Sequence, residues 1–188
     1  MRRFAKTPLA AAGLAAVLLA APVQAFWGDR VVNDYIDDAY LPNDVSIFAA
    51  GGGQAAIYGA TSDGAGAAEI ASQIRLPAAF SPRAITAGPT GRREGPHLVL
   101  VFAPQGTTPR AACRGEAKGG VAAPSELKVL GVFCRGYGRP VSEAVLLADG
   151  AETPSNPDFG RTMATLVNKL LPFRNPNFQG DDSPFMSN

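Results

Sequence analysis

Two short apolar runs constrain this chain more than anything else in it. His97 to Ala103 (HLVLVFA) and Leu127 to Cys134 (LKVLGVFC) are rich in β-branched and aromatic residues, and each stops at turn formers. Such runs read as strands covered on both faces, or nearly so, because neither shows the alternation of a strand with one wet side. Between them lies a Pro/Gly-rich segment carrying Cys113, and the second run ends on Cys134, the only other cysteine. In an oxidising compartment two cysteines are most simply one disulfide, against the alternative of two separate buried thiols. A bond from Cys113 to Cys134 closes a loop of about 20 residues and should stabilise by roughly 3 kcal/mol.

The compartment follows from the N-terminus. Arg2, Arg3 and Lys6 precede a small-apolar run from Leu9 to Ala21, and Val23-Gln24-Ala25 offers the small residues a signal peptidase reads. That run is shorter than the roughly 20 residues a bilayer-spanning helix needs. Residues 1–25 are therefore expected to be a cleaved signal peptide, leaving no membrane anchor, and no cysteine follows to accept a lipid. Arg2-Arg3 hints at twin-arginine export, although the surrounding residues fit that class poorly. The expected location is periplasmic or extracellular. Three of the 17 basic residues fall in 1–25, which leaves 14 against 16 acidic residues, a net charge of −2. That charge supplies no field for gripping nucleic acid. Residues 26–172 are long enough for one domain with a substantial core, and 173–188, with its asparagines, prolines and Asp181-Asp182, reads as a flexible tail.

Taken in order, 26–42 mixes Phe26, Trp27, Tyr35 and Tyr40 with Asp29, Asp34, Asp37 and Asp38. The spacing fits either a short amphipathic helix or an irregular, aromatic-anchored arm. Val45 to Ala50 reads as a first strand and Gln54 to Tyr58 as a second, which makes Gly51-Gly52-Gly53 a hairpin turn. Thr61-Ser62-Asp63 offers caps for a helix near 65–75 that ends before Pro77. Residues 81–96 are punctuated by prolines and glycines and read as loop. Thr107-Thr108-Pro109 marks a helix start with room for one turn or so before Gly115. Residues 143–148 are expected as a hairpin partner for 127–134. Asn156-Pro157-Asp158 opens a helix over 158–171, with Phe159, Met163, Leu166, Val167 and Leu170 on one apolar face. The expected fold is α/β or α+β: a single domain, a mixed sheet with two main helices packed on it, and one disulfide.

The chemistry is sparse. His97 is the only histidine, placed just after Pro96 where a ring at a strand edge stays wet; it is the weak candidate for a catalytic base. No G-x-S-x-G occurs, and the cysteines lack C-x-x-C spacing. One histidine and paired cysteines leave no N/S set for zinc, so no metal is expected. Asp34, Asp37 and Asp38 lack the glycine and terminal glutamate of an EF-hand loop and read as a solvated face. Gly51 to Ala56 satisfies G-x-G-x-x-A, but without the long helix and distal acid a dinucleotide fold requires, so no cofactor is expected. Arg110, Arg114, Arg135 and Arg139 flank the two cysteines and form the candidate anion-binding set. The leading expectation is a non-catalytic envelope binding or accessory protein whose partner is an envelope protein or cell-surface component. The alternatives are a small secreted hydrolase using His97 and a small-anion-binding domain using the four arginines.

Overall fold

A computed structural model describes residues 30–80, 83–149 and 153–177. The signal-peptide segment, Phe26 and Trp27 lie outside the described residues. One mixed sheet of six strands organises them, in the order β1-β6-β5-β4-β2-β3. Strands β4 (His97–Phe102) and β5 (Leu127–Gly136) are its antiparallel centre, as the two apolar runs predict. All six residues of β4 are buried. β6 (Arg139–Ala148) returns from β5 as the expected hairpin partner, and β1 (Arg30–Ile36) closes that edge antiparallel to β6. On the other side β2 (Gln54–Tyr58) runs parallel to β4, and β3 (Thr86–Gly88), inside the segment read as loop, runs parallel to β2.

Helices α1 (Pro42–Ala50), α2 (Ala67–Gln73) and α4 (Phe159–Leu170) lie on one face, and the five-residue α3 (Pro109–Cys113) lies on the other. The larger core joins Phe48, Ile70, Met163 and Leu166 to Leu98, Leu100, Phe102 and Phe133. The smaller joins Ala112 and Cys113 to Val99, Val101, Leu130, Val132 and Cys134. The architecture is the single-sheet α+β arrangement with one disulfide that the sequence implies, with α1 added to the expected helices. Helix α4 buries Phe159, Met163, Leu166, Val167 and Leu170, the face its spacing predicts. Asn156 Oδ1 accepts from the Asp158 N–H at 2.9 Å as it opens.

Three expectations fail for identifiable reasons. Val45 to Ala50 is helix α1, not a strand. Pro42 stands in the first turn with Asp44 close behind, and the buried residues are Val45, Phe48 and Ala49, at helical spacing. A strand would have buried Ile47, which is half exposed. Conversely, the segment around 31–36 is strand β1, neither helix nor arm. A bulge between Val32 and Tyr35, with Asn33 at φ 52°, adds one residue and breaks the period of two, so the apolar spacing imitates a helix. The glycine triplet, in turn, closes α1 and is no hairpin. Gly52 N–H donates to Ala49 O and Gly53 N–H to Phe48 O, with both glycines at positive φ, a Schellman motif. The G-x-G-x-x-A pattern therefore precedes a strand and leads into no helix.

Tyr40, grouped with the aromatic arm, is core. Its ring meets Phe133 edge-on at 6.4 Å, and its hydroxyl donates to the Pro172 carbonyl at 2.7 Å. Of the segment expected as a tail, 173–177 is described and 178–188 lies outside the described residues; Asn175 is buried with its Nδ2 in reach of the carbonyls of Asp37, Asp38 and Tyr40.

Candidate functional site

The site grows from the way α3 is tied down. Thr108 Oγ1 accepts from the Ala111 N–H at 3.2 Å and Pro109 takes the first helical turn, which fixes where this short helix begins. The Cys113–Cys134 disulfide, with Cα atoms 5.6 Å apart, clamps its end onto β5. Gly138 N–H then donates to the Cys113 carbonyl at 3.1 Å, joining α3 to the β5–β6 turn. Across the edge, Tyr35 pairs with Glu143 and Asp37 N–H donates to the Val141 carbonyl. A cavity of about 310 Å³ opens between these elements. Tyr35, Asp37, Arg110, Arg139 and Glu143 contribute its charged and phenolic groups.

Its charges are not paired off internally. Among the described residues, ion pairs join Arg92 to Glu94, Arg135 to Asp44, Arg161 to Asp158 and Lys169 to Asp34, and none involves Arg110, Arg139, Asp37 or Glu143. Burial raises the Glu143 carboxyl above its usual range. Tyr35 Oη donates to Asp37 Oδ2 at 3.3 Å, and that carboxylate holds the phenol above its ordinary value. Asp37 Oδ1 accepts from the Ala39 N–H at 2.8 Å, which fixes the carboxylate's orientation. The lining thus carries two carboxylates and a phenol together with two guanidiniums.

The four arginines divide. Arg110 and Arg139 enter the cavity. Arg114 lies against Gly138 at the turn, its Nε 3.3 Å from where a Cβ would stand. Arg135 faces the other side of the sheet, where its Nε lies 3.3 Å from Asp44 Oδ2. Asp44 is largely buried and that oxygen accepts no hydrogen bond, so the ion pair is its compensation. Replacing Arg135 by alanine should cost about 1–2 kcal/mol, less than for a fully buried pair because the guanidinium is partly solvated. Asp44→Asn in the same chain should recover most of that loss in urea unfolding.

His97 is not wet. It lies 1 % exposed, because β4 is an inner strand and α3 covers this face; its Nδ1 lies 2.7 Å from the Gly95 carbonyl, as an N–H donor. No carboxylate or nucleophile is among its hydrogen-bond partners, so the geometry lends the hydrolase reading no base. Burial, aided by Arg93, lowers its pKa, against the opposing Gly95 bond. In the unfolded chain His97 takes up a proton near pH 6.5, whereas in the fold it stays neutral to lower pH. The unfolded state therefore binds more protons in that window, and stability falls as pH drops from about 6.5. In urea unfolding at pH 7.5 and 5.5, His97→Gln should show a smaller acid-induced loss than wild type.

Nothing in the sequence joins Tyr35 and Asp37 to the arginines or points to Glu143. Only the pairing of β1 with β6 brings them together. Of the acidic group, Asp34 pairs with Lys169 at 3.6 Å, and among the described residues no three His, Cys, Asp or Glu side chains converge as a metal site. Among the described residues no helix is long and apolar enough to cross a membrane. No protein-family model, curated protein or solved structure matches the chain.

Proposed function

We propose that this chain is an exported, non-catalytic binding protein of the cell envelope, and that the cavity between β1, the β5–β6 hairpin and α3 is where it holds its ligand. The observation that carries this reading is a concavity in which charged groups of both signs stand without ion-pair partners among the described residues. Ligand sites characteristically place a few polar groups around a concave surface, and this volume is at the small end of their range. A disulfide-clamped helix carrying Arg110 adds rigidity, which lowers the ordering cost of binding. The paired cysteines and the residues of 1–25 support export, to the periplasm or beyond.

Thermal melting of the disulfide-intact protein against a panel of carboxylates, phosphates, amino acids and short peptides tests it. A ligand at 100 times its dissociation constant should stabilise by about 2.7 kcal/mol. Arg110→Ala/Arg139→Ala should abolish the shift while leaving the unliganded melting point nearly unchanged, because both side chains are exposed. A shift that survives this double substitution would place binding elsewhere.

A further inference from the structure

Resting on that reading, we infer that the ligand is zwitterionic, a free amino acid or short peptide whose carboxylate meets Arg110 and Arg139 and whose ammonium meets Glu143, Asp37 and Tyr35. The two arginines and the two carboxylates line the same cavity without forming ion pairs with one another. A simple anion would satisfy the guanidiniums but bring negative charge toward two carboxylates in a partly desolvated space. A simple cation would face the reverse conflict. A neutral sugar would leave both charge sets to ordinary hydrogen bonds. Only a ligand carrying both signs satisfies both charge sets, and guanidinium–carboxylate and ammonium–carboxylate contacts are the stronger, charge-assisted kind.

Size agrees with this assignment. A cavity of about 310 Å³ is roughly 8 Å across if compact, and two extended residues span at most about 7 Å. A dipeptide therefore fits within the cavity. Fixed orientation is built in as well: the Ala39 N–H and Tyr35 Oη hold the Asp37 carboxylate, and the pairing of β1 with β6 sets Glu143 opposite Tyr35.

Isothermal titration of the disulfide-intact protein tests this with four probes: alanylalanine, its N-acetyl derivative, its C-terminal amide, and inorganic phosphate. Alanylalanine should bind best, and blocking either end should weaken it at least tenfold. Glu143→Gln should shrink the penalty of N-acetylation, and Arg139→Gln should shrink the penalty of amidation. Each variant's effect should fall on one end of the ligand, which general damage to the fold would not produce. If phosphate or the N-acetyl form binds as tightly as alanylalanine and Glu143→Gln changes nothing, the zwitterion assignment fails while the cavity stands as a binding site. If no probe binds, the zwitterion assignment fails; if, further, the thermal panel yields no shift that depends on Arg110 and Arg139, the binding-protein reading fails with it.

Discussion

Gly59→Ala should cost about 3 kcal/mol or more in urea unfolding, among the largest effects of any single substitution here. Gly59 follows β2 directly at φ +82°, where an L side chain costs about 1–2 kcal/mol. A Cβ there would also stand 2.5 Å from the Gly120 carbonyl oxygen and 2.6 Å from that of Phe102, and overpacking against backbone adds about 1–3 kcal/mol. The reason for this crowding bears on function. β2 leads on to β3 at one side while its parallel neighbour β4 leads on to β5 at the other, so their carboxyl ends form the kind of switch point where open α/β sheets bind ligands. Here the chain's own backbone occupies that crevice. Ala60 N–H donates to Gly120 O, Ala122 N–H to Ala60 O, and Gly120 N–H to Phe102 O, each within 2.9–3.0 Å. Gly64→Ala is the control: it shares a positive φ of 76° but meets no atom within 4 Å, so it should lose only the backbone part, about 1–2 kcal/mol. Equal losses in the two variants would mean that residues 119–122 do not fill the crevice.

Cys113→Ala/Cys134→Ala should lower stability by about 3 kcal/mol, the entropy of closing a loop with a sequence separation of 21. The same change should loosen α3 beyond its share of the global loss. That helix has five residues, and apart from the disulfide its anchors are the Thr108 cap, the buried Ala112 and the bond from Gly138 to Cys113. Hydrogen exchange at 109–113 should therefore speed up more than exchange in β4. Ligand affinity should fall with it, because Arg110 then loses its fixed place. Unchanged exchange in α3 would show that packing alone seats it.

How much of this was legible in the sequence depended on whether a signal was local. β4 and β5 announced themselves because an inner strand covered on both faces needs an unbroken apolar run. Helix α4 was legible because its partner is a flat sheet, which demands one continuous stripe. α1 and β1 exchanged identities for opposite reasons. A nine-residue helix offers too few turns to establish a period, and the bulge at Asn33 gave a strand the spacing of a helix. The site was half readable: Arg110 and Arg139 were found through the cysteines they flank. Their acidic counterparts depend on the first strand pairing with the last, a contact that no local spacing encodes. His97 misled because a preceding proline suggests an edge, whereas β4 is an inner strand of the sheet.

The most direct test of the account is residue-resolved amide NMR of the disulfide-intact protein during titration with the strongest ligand from the thermal panel. Saturable shifts should concentrate at Tyr35 to Ala39, Arg110 and Gly138 to Glu143, with residues 51–61 and His97 unmoved. Shifts centred on the glycine triplet, on the β2–β4 crevice or around His97 would contradict it.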